Sequence, residues 1–283
     1  MGTTDAGTSF AGKCYIDVNA HWISEDFKVK KKILTVIKVD SKNAVDYRGH
    51  VEDIYEAHGI KEKVFGQTTD NEKTMEVTFE SEIRNGCFSH IESKACQYAL
   101  DSSDRLKNTR KKLRKVAKKA NKSSKFKSFI EKEQIKRNLK TRTLKQEIKT
   151  RFTATHTMAR SFMNDPNEKK SEAPIDEGKV MENIEAVNAA LKSSVKKGEY
   201  NRLYIDHSDV TVLLNIVPTL DPMEEAITYL GGDKHITASS VLPFLVNFNT
   251  FLETNEDDPL YVTKFKSTLK REMIERCVKH LNF

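Results

Sequence analysis

The residues of this chain best suited to chemistry lie between positions 63 and 90. An apolar run, Lys63-Val64-Phe65-Gly66-Gln67-Thr68-Thr69, leads into Asp70-Asn71-Glu72, and Cys87-Phe88-Ser89-His90 follows a short amphipathic stretch. A carboxylate at the C-terminal end of a buried strand is held rigidly and points into a crevice, where α/β sheets keep their chemistry. Asp70 is therefore the first candidate metal ligand. Asp and Asn at such a junction have a second use, because they accept hydrogen bonds from the free amides of a first helical turn; a helix cap stands beside the ligand reading. Cys87 and His90 have the spacing of half a zinc site, but structural zinc takes four ligands and no second pair occurs at matching spacing. They are read as structural residues near the site, and zinc is not expected.

Charge is the next constraint, and its distribution says more than the net +7. Between Arg105 and Arg151 the chain has 6 Arg and 14 Lys against Glu131, Glu133 and Glu147, a net +17 that leaves −10 for the remainder. Arg110, Lys111, Lys112, Arg114, Lys118, Lys119 and Lys122 form the densest part. This is the electrostatic footprint of a polyanion partner, nucleic acid first among them; the plainer reading is a solvated helical surface. The interleaved apolar residues are too sparse for a membrane-surface helix. The same clusters would serve nuclear import. Cys14, Cys87, Cys96 and Cys277 make no paired framework, which fits a reducing compartment. No run approaches the ~20 apolar residues of a membrane span, and no signal peptide opens the chain, so the expectation is a soluble, intracellular protein.

The elements that must position these residues fall into two regimes. Cys14, Ile16, Val18, Ala20 and Trp22 alternate with polar neighbours, and Ile33–Ile37 is a second β-branched run, predicting two paired strands joined through Ser24–Lys28. A helix is predicted over Tyr47–His58 with Gly59 as its C-terminal cap, then a strand over Val64–Thr69. After His90 the pattern is helical. Ile184, Val187, Leu191 and Val195 mark one helix, Val210–Val217 a second that ends at Pro218, and Met223–Leu230 and Ser240–Leu252 two more separated by Gly231-Gly232. Residues 164–174, polar with two prolines, are predicted as an exposed linker. The domain division is 1–86, a partial α/β half-domain; 87–163, a basic helical region; the linker; and 175–283, the rest of the helical part.

A strand ending in Thr-Thr-Asp-Asn, a helix, and Cys-x-x-His opening a second helix resembles the hAT superfamily of DNA transposases, including the BED zinc-finger proteins derived from them. The resemblance implies a ribonuclease-H-like α/β sheet interrupted by a large helical insertion, with Leu144–Phe152 and Val241–Leu245 as landmarks of the insertion. It implies two Mg²⁺ or Mn²⁺ ions held by acidic side chains ~3.5–4 Å apart, and hard ions of this kind prefer oxygen ligands. In register with the family, Thr3-Thr4-Asp5 supplies the first ligand, Asp5, and Asp70 the second. Only four residues precede Asp5, too few, on the sequence alone, for a strand that would fix it. The family's third ligand, a Glu after the insertion, is not assigned, because no return to the sheet is evident; Glu253 and Glu272 are the distant alternatives. Where many members carry Trp, this chain has Phe152, which can stack on a displaced base at ~1–3 kcal/mol or simply pack in a core, beside Arg151, which can meet phosphate.

The sheet is thus expected to be incomplete and the chain truncated at both ends, with an edge open to pairing or aggregation. The expected function is a transposon-derived nuclear protein that binds DNA without cleaving it alone, with itself or a longer transposase chain as further partner. The alternatives are a nuclear regulatory protein that uses the helical domain for protein partners, and an active metal-dependent transposase.

Overall fold

The computed structural model describes residues 1–9, 11–41, 43–80, 83–147, 152–164, 175–232 and 238–281, with the side chains of Phe152 and Ala238 outside the description. Five strands form one mixed sheet: β1 (Gly2–Thr8), β2 (Cys14–Ile23), β3 (Val29–Val39), β4 (Gln67–Thr69) and β5 (Arg84–Gly86), in the order β3-β2-β1-β4-β5. The first three are antiparallel in sequence order, and β4 runs parallel to both β1 and β5. The sequence reading found β2, β3 and the end of β4. It missed β1, whose Gly-Thr-Thr-Asp-Ala-Gly-Thr has no apolar alternation, and β5, only three residues long. β1 is a strand because β2 and β4 flank it on both sides, so the sheet is wider than the half-sheet expected. Its β3 edge carries Lys30, Lys31 and Lys32, all exposed, a composition that discourages edge-to-edge pairing.

The hairpin between β2 and β3 closes through Ser24–Lys28 as predicted: Ser24 N–H donates to the Lys28 carbonyl at 2.9 Å, and Phe27 takes a left-handed φ of 58°. Ile16 and Val18 are wholly buried on one face of the sheet and pack with Tyr47, Val51, Ile54 and Tyr55 of α1 (Ala44–Ala57) and with Met75 and Phe79 at and after α2 (Lys73–Thr78). Asn43 caps α1 by accepting from the Asp46 amide at 2.8 Å. At its other end Gly59 adopts φ +63° while its N–H bonds Glu56 O at 2.9 Å and Ile60 N–H bonds Tyr55 O at 3.0 Å. This is the Schellman arrangement, in which glycine accepts the left-handed conformation at no steric cost. A short 3-10 turn at Lys61–Lys63 then delivers the chain to β4, so that strand begins later than the apolar run suggests.

The remaining helices are α3 (Phe88–Leu100), α4 (Asp104–Lys122), α5 (Ser124–Lys136), α6 (Phe152–Met163), α7 (Glu177–Ser194), α8 (Lys197–Leu203), α9 (His207–Leu230), α10 (Ala238–Phe251) and α11 (Leu260–His280). The predicted stop at Pro218 does not occur: α9 runs through Pro218 and Pro222, and the helix predicted over Met223–Leu230 is its last turns. Each proline removes a helical hydrogen bond, but Val210, Leu213, Ile216, Val217, Leu220 and Met223 are all buried along this helix, and that burial outweighs the loss.

The chain forms two compact units, each assembled from separate stretches. The first comprises Met1–Glu92, Tyr229–Val246 and Arg271–Phe283; the second comprises Ser93–Thr228 and Asn247–Lys270. Both differ from the contiguous division read from sequence. The second unit has its own core, in which Leu113, Val116 and Ala117 of α4 meet Phe126, Phe162, Ile184, Val187 and Leu191. No described helix is long and apolar enough to cross a membrane. Residues 165–174 of the expected linker lie outside the described residues, and Asn164 before them is buried.

Candidate functional site

β1 and β4 are parallel with Thr4 beside Thr69, so the next residues, Asp5 within β1 and Asp70 just past the end of β4, follow from neighbouring strands at the same level. On the other side of β1, Asp5 is paired with Asp17 of β2, and its N–H donates to Asp17 Oδ1 at 3.1 Å. Burial raises the Asp5 pKa above the ordinary carboxylate value, and the nearby charges of Asp70 and Asp17 raise it further while His90 opposes them. The concern that Asp5 lacks a strand is removed, since β1 begins at Gly2. Asp17 is the member sequence reasoning missed; its place in an alternating strand, with side chains on the face opposite Ile16 and Val18, was the available signal.

Asp70 is buried, and its Oδ1 accepts the Glu72 amide at 3.1 Å. This is a local turn about Asp70-Asn71, for the cap position of α2 is Glu72, which makes no side-chain capping bond. Arg84 fixes the same corner: its Nη2 donates to the Asp70 carbonyl at 2.7 Å and its Nε to Thr69 Oγ1 at 2.8 Å. Asn71 Nδ2 donates to the Cys87 carbonyl at 3.2 Å. Gly86 leaves room for this, because a Cβ there would stand 2.0 Å from Asn71 Oδ1 and 2.8 Å from His280 Cβ.

Cys87 follows β5 directly, held by its N–H on the Thr69 carbonyl at 2.7 Å, and α3 begins at the next residue. Burial alone would push the Cys87 thiol up, but a hydrogen bond to His90 and the charge of that ring bring it below its usual value. The bond to Cys87 raises the His90 pKa against its burial, and Asp5 and Asp70 add to the rise. Cys87, His90, Asp5 and Asp70 therefore form one electrostatically linked group. Among the described residues no three or more His, Cys, Asp or Glu side chains are arranged to hold a metal ion. The donor chemistry of Asp5 and Asp70, two oxygens in mutual repulsion, fits two ligands of a hard divalent cation and supplies no third.

The chain does return to the sheet unit, contrary to the sequence reading. Arg271–Phe283, most of it the second half of α11, belongs to that unit, where Glu76 of α2 meets Lys279 Nζ at 3.4 Å and His280 Nδ1 at 3.1 Å. Of the two distant glutamates, Glu272 lies on this returning helix and is engaged by Arg276 at 2.9 Å, whereas Glu253 belongs to the helical unit. The signal for α11 was legible: Val262, Phe265, Leu269, Met273 and Cys277 recur at helical spacing and are all buried.

The basic residues of α4 separate into two sets. Arg110 Nε donates to Glu147 Oε1 at 2.8 Å, Arg114 and Thr155 also bind that carboxylate, and the Glu147 side chain is fully buried. Lys112 is bonded to Asp209 and lies 3.4 Å from Asp206. Arg110, Arg114 and Lys112 thus serve internal carboxylates. Lys111, Lys118 and Lys122 are exposed, and Lys119 pairs with Glu199 at 3.0 Å. Arg151 and the Phe152 side chain lie outside the described residues; the backbone of Phe152 opens α6.

Residues 3–93 match the family model of the ZBED1 RNase-like domain. The matched span begins in β1 and ends in α3, so it contains all five strands, Asp5, Asp70, Cys87 and His90. The likeness is to that domain and covers the sheet region of the chain. No curated protein matches the chain.

Proposed function

We propose that this chain is a transposase-derived nuclear protein of hAT type that binds DNA through its basic helical unit and does not cleave DNA alone. The observation that carries the reading is the combination, in one chain, of an RNase-like sheet domain with a segment of net +17 whose outward lysines lie on α4. Phosphate neutralisation by such lysines gives an affinity that falls steeply with salt. The experiment is DNA binding by the full chain across a salt series. A steep salt dependence supports the reading; weak binding at every salt concentration overturns it in favour of a protein-partner surface.

A second reading, a metal-dependent transposase, is favoured by the side-by-side placement of Asp5 and Asp70. These two residues would hold Mg²⁺ or Mn²⁺, which when bound would activate water and stabilise the leaving oxygen. The chain's own contribution is positional: β1 and β4 set the two residues on neighbouring strands, Arg84 anchors the Asp70 main chain, and the charge of His90 opposes that of the carboxylates. Nicking of plasmid DNA with Mn²⁺, abolished in Asp70→Ala, would establish this reading, and no nicking by either protein would remove it.

A further inference from the structure

We infer that the groove between α4 and α8 is the seat of a DNA phosphate strand; this rests on the DNA-binding reading above and assigns it a place. The groove, of about 520 Å³, is lined by Lys115, Lys118, Lys119 and Lys122 of α4 and by Arg202 and Glu199 of α8. Cations elsewhere on α4 that turn inward are matched: Glu147 serves Arg110 and Arg114, and Asp206 and Asp209 serve Lys112. In the groove the balance is different. Glu199 is its one carboxylate and pairs with Lys119 at 3.0 Å, while Lys115, Lys118, Lys122 and Arg202 make no ion pair among the described residues.

That excess costs the protein something. Lys115, Lys118, Lys119 and Lys122 stand three, four and seven residues apart, so they share one helix face, and like charges at this spacing repel. Concave walls concentrate their field, which favours an anion entering from outside. Spacing then selects the anion. Seven residues of helix rise about 10.5 Å from Lys115 to Lys122, and the phosphates of one strand advance by about 3.4 Å each along the duplex axis, so the lysine row laid along that axis spans about three phosphate steps. The Lys119–Glu199 pair makes Glu199 an internal competitor for the strand.

The test measures binding of a labelled random-sequence duplex to the full chain by anisotropy, as a function of salt. Three phosphate contacts contribute about 2.7 to the slope of log affinity against log salt. The expected result is a slope lower by about that amount in Lys115→Gln/Lys118→Gln/Lys122→Gln, retention of the slope in the corresponding Lys→Arg triple, and little change in Lys132→Gln/Lys136→Gln/Lys140→Gln, which removes equal charge outside the groove. Glu199→Gln should tighten binding, a gain that misfolding does not produce. Salt-sensitive binding by the wild-type chain with an unaltered slope in the groove variant, or equal losses in both Gln triples, overturns the groove assignment and leaves the DNA-binding reading intact. Absence of salt-sensitive binding by the wild-type chain overturns both. Polyglutamate that displaces the duplex at equal charge concentration also overturns the groove assignment, in favour of an acidic protein segment.

Discussion

Glu147→Ala is expected to be among the most destabilising single changes in the helical unit. The Glu147 side chain is fully buried and takes hydrogen bonds from Arg110, Arg114 and Thr155, while the Arg110 side chain is only 11% exposed. Removing one partner of a buried ion pair leaves charge uncompensated at ~3–5 kcal/mol. Two features favour the low end: Arg114 reaches solvent, and Asp101 remains 3.4 Å from Arg110. A loss of about 3 kcal/mol corresponds to about 6–12 °C in melting temperature for a unit of this size. Thermal and urea unfolding followed by circular dichroism would measure it, with Lys111→Ala as an exposed control expected within ~0.5 kcal/mol of wild type. Arg110→Gln should likewise lower stability while leaving the salt slope of DNA binding unchanged. A Glu147→Ala loss below about 1 kcal/mol, or an Arg110→Gln protein of full stability with a reduced slope, would refute the assignment of these arginines to the interior.

Three further outcomes follow from the same structure. Glu92 is fully buried with no hydrogen-bond partner among the described residues, and burial raises its pKa well above the usual value, so the folded chain keeps a proton that the unfolded chain releases. Stability should therefore fall as pH rises above about 4.5; Glu92→Met should gain ~1–3 kcal/mol near neutral pH and flatten that slope, and equal slopes in the two proteins would contradict this. In the helical unit, burial disfavours the charge of Asp206, but Ser208, the Asp209 amide and Lys112 hold its pKa down at about 2. That stabilisation is complete above the ordinary aspartate value and should be lost as pH falls from about 4 towards 2, a decline that Asp206→Asn would diminish in acid unfolding curves. Gly86→Ala must displace Asn71 or the end of α11 and should cost ~1–3 kcal/mol by overpacking; an unchanged urea midpoint would argue against that close approach.

The sequence alone determined the paired strands, the α1 helix with its Gly59 cap and the Thr-Thr-Asp-Asn to Cys-x-x-His spacing, because each rests on neighbours in the chain: alternation of side chains, a left-handed glycine, a turn at a strand end. It also fixed the basic character of α4 by composition. What it could not supply was partnership between distant segments. β1 carries no apolar pattern and exists through pairing with β2 and β4, which also brings Asp5 beside Asp70 and adds Asp17. Pro218 reads locally as a stop, yet buried side chains on both sides of it carry α9 onward. Above all, a lysine or arginine in a basic helix looks the same in sequence whether it faces Glu147, Asp209 or solvent. Only the tertiary packing, by burying some carboxylates against α4 and leaving one in the groove with α8, decided which cations are spent within the fold and which face outward.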